Sequence, residues 1–289
     1  MSAPPSDASS VRLTAERLSP WARLGLTFAG IHHELSGSRR LAADAGSFVR
    51  FASDALGYRA QRILRHGGGT RRRTVRFKDG TELTYRLNRG DVRAIAEVWM
   101  TEAYELPFDI RARHIIDLGA NIGAASVWLI RRYGGSKLVA VEPVPENAEL
   151  TRVNLARTGI DTEVIPAAVA PRHGSARFTL SHSSAWGRLG DDGPEVPLIT
   201  PQSLIERFPP NQRIDLVKMD VEGAEQELFK ADLRWLGLVD CLVVELHADR
   251  VDWRGIIDTL SRLGFSHRQI AERNIYCGPT DLMVAFRRT

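Results

Sequence analysis

Three short stretches of this chain carry glycines, acids and a histidine to the ends of apolar segments, where such residues can bind a ligand and move protons. The first is Ile115-Ile116-Asp117-Leu118-Gly119-Ala120-Asn121-Ile122-Gly123, an apolar strand candidate running into a glycine turn and then a helical stretch. That order brings backbone N–H groups up to a ligand at a strand's carboxyl end, beside a helix N-terminus. It does not match the dinucleotide fingerprint GxGxxG, because Asn121 stands in the second glycine's place. Asp117 also puts a carboxylate at the strand end, which repels a pyrophosphate and attracts an ammonium group. S-adenosylmethionine carries an ammonium, a sulfonium and no phosphate, so the loop suits it better than NAD.

Glu142 ends the next strand candidate, about twenty residues on, where an acid accepts the hydroxyls of an adenosine ribose. NAD uses the same acid, so Glu142 alone does not separate the two cofactors. The second stretch, Ile214 to Glu225, delivers Asp220 and Glu222 to a turn before a helix with Glu225 in its first turn. One of these acids can serve only as a helix cap, but three within six positions face the ligand crevice. In the third, Leu242 to His247, strand alternation sets Glu245 and His247 on one side, with His247 at the exit.

The elements that must hold these residues follow from periodicity. Strand candidates are His114–Leu118, Lys137–Glu142, Thr162–Ala168, Ile214–Met219 and Val239–His247, with helical stretches from Ile122, Pro145, Thr200 and Gly223 between them. This alternation predicts an α/β fold, a doubly wound, mostly parallel sheet covered on both faces. Phe265–Ala271 and Leu282–Phe286 are candidates for an antiparallel edge, giving seven strands. Upstream, Thr74–Phe77 and Glu82–Leu87 read as a β-hairpin around Asp79-Gly80, followed by a helix from Asp91 to Tyr104. Residues 1–10 read as a disordered tail, 11–70 as a helical extension broken near Ser19-Pro20 and Ser36–Ser38 and closed by a Gly67–Gly69 linker, and 71–289 as hairpin plus catalytic domain.

Composition narrows the class. With 289 residues, 43% hydrophobic and 26% charged, the chain can bury a full core. A net charge of +4 with scattered arginines, apart from Arg71–Arg73, lacks the basic stripe of a nucleic-acid binder. Two cysteines, Cys241 and Cys277, make neither a disulfide scaffold nor a CxxC metal site. Trp21–Ile31 is too short to span a bilayer and is interrupted by Arg23. A cytoplasmic enzyme with a small-molecule acceptor, no nucleic acid and no membrane is expected, its N-terminal helices forming either a lid or a homodimer contact.

The ordered series DLGANIG, Glu142-Pro143, Ala167–Val169, KMDVEGAE (Lys218–Glu225) and VVELH resembles the FkbM family of class I methyltransferases. The likeness covers roughly Asp91 to Phe286 and includes the approach segment Gly90-Asp91-Val92…Glu97…Tyr104; Met219 stands where isoleucine is usual, and residues 11–66 fall outside it. The resemblance implies a Rossmann-like, S-adenosylmethionine-dependent O-methyltransferase acting in line on a hydroxyl of a natural product or saccharide. It implies Asp117 on the methionine ammonium, Gly119, Ala120, Asn121 and Gly123 as the backbone cradle, and Glu142 on the ribose. His247, able to be neutral near physiological pH, is the first choice of base and Asp220 the second. Tyr104, Glu97 and Glu222 are expected on the acceptor side, and Trp186 over the adenine or the acceptor. A divalent metal on Asp220, Glu222 and His247, as in related sugar methyltransferases, is the runner-up mechanism and is not the expectation. The alternatives are a carboxyl methyltransferase, an NAD-dependent oxidoreductase, and a non-catalytic adenosine-binding protein.

Overall fold

The structure, a computed structural model, describes residues 31–32, 34–64, 70–180, 187–190, 192–270 and 281–289. The tail, the break near Ser19-Pro20, the Gly67–Gly69 linker, Trp186 and Cys277 lie outside the described residues. Residues 34–41 run helical through Ser36–Ser38, so the expected break is not there. It falls at 42–44, where Ala42 bridges Phe77 and Asp44 Oδ1 accepts from the Ser47 N–H at 2.7 Å. Helix α1 (Ala45–Leu64) follows and meets the hairpin of β1 (Arg72–Arg76) and β2 (Glu82–Arg86), in register Thr74 to Thr84. Phe51 packs edge-on against Phe77 and Tyr85, and Asp54 accepts from Tyr85 and pairs with Arg73, each at 2.6 Å. This apolar face of the extension is therefore covered by the hairpin.

Helix α2 (Arg89–Thr101) starts and ends earlier than periodicity predicts. The Asn88 side chain caps it by accepting from Asp91 N–H, and Glu102 stops it in the left-handed region at φ 53°.

The main sheet joins β3 (His114–Leu118), β4 (Lys137–Val141), β5 (Asp161–Ile165), β10 (Ile214–Met219), β11 (Val239–His247), β12 (Phe265–Gln269) and β13 (Asp281–Arg288). Their order is β12-β13-β11-β10-β3-β4-β5. Only β13 runs against the rest: β12 pairs antiparallel with β13 and so points the same way as the five parallel strands. Chain order reverses between β3 and β10, and a doubly wound sheet binds its ligand at the carboxyl ends flanking that switch. Helix α3 (Ala124–Tyr133), α2 and the hairpin cover one face; α6 (Glu225–Lys230) and α7 (Trp253–Arg262) cover the other. Helix α4 (Pro145–Leu155) and the single turn α5 (Pro201–Ile205) complete the two layers. Sandwiched in this way, Leu138, Val139, Ala140 and Val141 of β4 are wholly buried. Burying each larger side chain stabilises the fold by about 1.5–3 kcal/mol.

A second sheet has no counterpart in the sequence reading. It contains β6 (Ala168–Val169), β7 (Gly174–Leu180), β8 (Gly187–Gly190) and β9 (Glu195–Ile199), in the order β6-β9-β7-β8. The strand expected over Thr162–Ala168 is split by Pro166, which has no N–H to continue a ladder, and Ala168 passes to the small sheet. Among the described residues, no helix is long and apolar enough to cross a membrane.

Candidate active site

The turns after β3 and β10 press together at the switch point. Gly119 has φ 81°, and a Cβ there would lie 1.9 Å from the Asp220 carbonyl oxygen, so only glycine lets the two turns meet. The loop is tied down on every side. Gly119 and Ala120 donate N–H to the Val141 carbonyl at 3.0 Å each, Asn121 N–H donates to Glu142 Oε2 at 2.8 Å, and Thr151 donates to the Asn121 carbonyl at 2.6 Å.

A cavity of about 850 Å³ opens over these turns. Gly119, Asn121, Glu142, Asp220 and Glu222 line it, and Val144, Ala168, Phe178 and Leu198 form an apolar wall between the two sheets. Glu142 is buried, and burial pushes its pKa up to about 7 against the N–H groups of Val144 and Asn121 and the Asn147 amide, which favour its charge. The Asn121 side-chain oxygen is buried without a hydrogen-bond partner.

Other expected residues lie outside the cavity lining. Asp117 does not line the cavity: its carboxylate accepts from Ser126 at 2.6 Å and lies 3.1 Å from Lys218 Nζ, both side chains being almost wholly buried. Lys218 and Asp117 thus form a direct, buried ion pair, although the angle at Asp117 Oδ1 is not that of a well-aligned hydrogen bond. Ala120 and Gly123 support the turn from outside the cavity. Tyr104 is buried, donates to Asp220 Oδ2 at 3.4 Å, and does not itself line the cavity. Its pKa is raised well above 10 by burial and by the Asp220 charge, so it stays a donor. Glu97 pairs with Arg93 at 3.8 Å and likewise falls outside the lining.

Lys218, to which the motif reading assigns no role, is buried behind the cavity lining and joins the two turns. It donates to the Gly119 carbonyl at 2.7 Å, sits 3.9 Å from Asp220 Oδ2 and 5.3 Å from the centre of the Tyr104 ring. Burial alone would lower its pKa, but Asp117 and Asp220 raise it, so it remains a cation. A lysine inside the apolar run IDLVKM was the available signal, since an interior cation needs paired acids.

His247 stands back from the cavity among carboxylates. It is buried, Nδ1 lies 3.1 Å from Glu225 Oε1 and Nε2 3.5 Å from Glu222 Oε2. Burial pulls its pKa down, but the Glu225 hydrogen bond and the charges of Asp220, Glu225 and Glu222 prevail and raise it to about 10. The surrounding carboxylates thus favour the protonated ring over the neutral acceptor expected of it, and His247 does not line the cavity. Glu222, at φ 57°, points between His247 and Arg250; burial and Asp220 push its pKa up to about 7. Asp220, Glu222 and His247 can each present one ligand atom within 4.8 Å of the others, and wholly buried Glu225 leaves Oε2 without a partner.

A sheet of this order, with a ligand cavity at its switch point, is a Rossmann-like, doubly wound ligand-binding fold. Residues 117–266, about half the chain, match the Methyltransferase FkbM domain, and the chain belongs to that family of S-adenosylmethionine-dependent methyltransferases. It is 25% identical over 198 residues to Methyltransferase 1 of Beauveria bassiana (strain ARSEF 2860), covering 59% of this chain and 79% of that protein. Among solved structures it is similar to M. jannaschii TYW2 in complex with AdoMet (14% identity, TM-score 0.40, 78% of this chain and 89% of that one). It is also similar to the precorrin-6y C5,15-methyltransferase of Geobacter metallireducens GS-15 (13%, TM-score 0.40, 68% and 87%). Family membership sets aside the oxidoreductase reading.

Proposed function

We propose that the protein transfers a methyl group from S-adenosylmethionine to a hydroxyl of a small natural product or saccharide, with Asp220 as the proton acceptor. One observation carries this reading: Asp220 reaches the cavity wall against the cofactor turn, whereas His247 is buried with both ring nitrogens beside carboxylates.

The residues present fit the cofactor. Glu142 keeps a lone pair on Oε2 for a ribose hydroxyl, the wall of Val144, Ala168, Phe178 and Leu198 suits a flat base, and the cavity volume leaves room for a small acceptor. The cofactor supplies a methyl already activated by its sulfonium, so the chain's task is alignment and proton removal. Lys218 and Tyr104 hold the Asp220 carboxylate, and the imidazolium of His247 offsets the charge of Glu222 and Glu225 beside it. Asp117 acts from behind, through Lys218, on the carbonyl of Gly119.

Asp220→Asn is expected to lower kcat by about 10²–10⁴-fold, read as transfer of labelled methyl to a panel of alcohols. Its affinity for S-adenosylhomocysteine should stay within about twofold of wild type. Unchanged turnover would remove Asp220 as base. Unchanged turnover with a base-labile methyl product would identify a carboxylate acceptor, which has no proton to lose.

A second reading is favoured by the convergence of Asp220, Glu222 and His247. Glu225 on Nδ1 directs Nε2 toward that cluster, the orienting carboxylate that histidine ligands usually carry. A hard divalent cation such as Mg²⁺ held there would polarise the acceptor oxygen. Full activity after exhaustive chelation would eliminate it.

A further inference from the structure

We propose that Arg86, outside the region that matches the family, is a positioning residue for the cofactor site, acting on Glu142 through the amide of Asn147. This rests on Glu142 as the ribose-binding acid.

The guanidinium of Arg86 is fixed first. Nε and Nη2 donate to the two carboxylate oxygens of buried Asp91 at 2.9 and 2.8 Å, and the Arg86 N–H donates to the same carboxylate at 2.8 Å. Asp91 is placed in turn by the Asn88 cap at the start of α2. From this fixed fork, Nη2 also donates to Asn147 Oδ1 at 2.5 Å. An amide can present either its oxygen or its NH₂ group to a neighbour, and a guanidinium has only donors. Arg86 therefore selects one orientation, with Asn147 Oδ1 toward the hairpin and Nδ2 toward Glu142 Oε1 at 3.3 Å. The flipped amide would set an oxygen against the carboxylate.

Asn147 and Glu142 both line the cavity, and Asn147 is almost fully buried, so no water can easily replace the missing donor. Asp91 neutralises Arg86, so what reaches Glu142 is orientation more than charge. The Asn147 hydrogen bond also favours ionised Glu142 against the burial that opposes it. The hairpin and α2 thereby become part of the cofactor site without touching the cavity.

A double-mutant cycle tests this by calorimetry of the full chain with S-adenosylhomocysteine. Arg86→Met and Asn147→Leu should each raise Kd by about tenfold, and neither should raise it further in a Glu142→Ala background. Arg86→Met should also move the pH midpoint of binding upward from about 7, a change a purely structural role would not cause. Should Arg86→Met not fold, Asn147→Leu, which leaves the Arg86–Asp91 pair intact, carries the cycle alone. Penalties that add in full over Glu142→Ala, or a lowered melting temperature with unchanged Kd, would overturn the proposal. No effect of Glu142→Ala itself would overturn the ribose assignment, and the proposal with it.

Discussion

The two ends of the cavity are built on different principles. At the β3–β4 end, a glycine turn and one acid are held by backbone: Glu142 accepts from two main-chain N–H groups and one amide. At the β10–β11 end, charged side chains hold one another: Lys218 between Asp117 and Asp220, His247 between Glu225 and Glu222. At the first end the main chain and the Glu142 carboxylate have their hydrogen bonds made, and the Asn121 side-chain oxygen is left without a partner. The second keeps an unpartnered carboxylate oxygen on Glu225 and a convergence of ligand atoms, so its charge can still be redistributed when an acceptor arrives. The proposed function puts binding and chemistry on different strands of one sheet, in contact through Gly119 and Asp220.

Breaking the contact between the ends should cost most. Gly119→Ala forces a Cβ into the Asp220 carbonyl at a φ that side chains rarely adopt. It should abolish S-adenosylhomocysteine binding in calorimetry, even where circular dichroism shows a folded chain. Lys218→Met comes next: removing one partner of a buried ion pair costs about 3–5 kcal/mol, readable by urea unfolding. Adding Asp117→Asn should recover part of that loss, since the wholly buried carboxylate is then gone and only half-buried Asp220 lacks its lysine.

A finer distinction comes from pH. Glu142 has its pKa raised by burial to about 7 from an ordinary 4.5. For the ligand-free fold, its contribution to stability is fully present below about 4.5 and lost as pH rises through about 7. Affinity should run the opposite way, because ribose hydroxyls donate best to the ionised carboxylate. The Kd for S-adenosylhomocysteine should rise as pH falls through about 7, and Glu142→Gln should flatten that dependence. A midpoint unmoved by Glu142→Gln would assign the titration to the other end, where Glu222 also has its pKa pushed up to about 7.

The same contrast explains what sequence could reveal. The backbone end is local: strand, glycine turn and strand-end acid are consecutive signals, and β3, β4, β10 and β11 lie where periodicity set them. The seven-strand order follows from a βα alternation and its reversal at the switch point. The charged end depends on partners far apart in the chain. Nothing near Lys218 announces Gly119 and Asp117 roughly a hundred residues earlier, and His247 reads as a neutral base until three acids are seen around it. The small sheet was hidden for another reason. Its first strand is hidden inside the apolar run at 164–170 that Pro166 divides, and β7 and β9 alternate too irregularly to mark themselves, with Phe178 and Val196 as their shared buried contact. Arg86 and Asn147 likewise became a pair only when the hairpin was seen docked on α4.

The division between the two ends is tested most directly by titrating S-adenosylhomocysteine into Glu142→Ala and Asp220→Asn side by side with wild type. Glu142→Ala should weaken binding by about 1–3 kcal/mol, roughly 10- to 100-fold, while Asp220→Asn stays within about twofold of wild type. Equal losses in both variants, or none in Glu142→Ala, would contradict it.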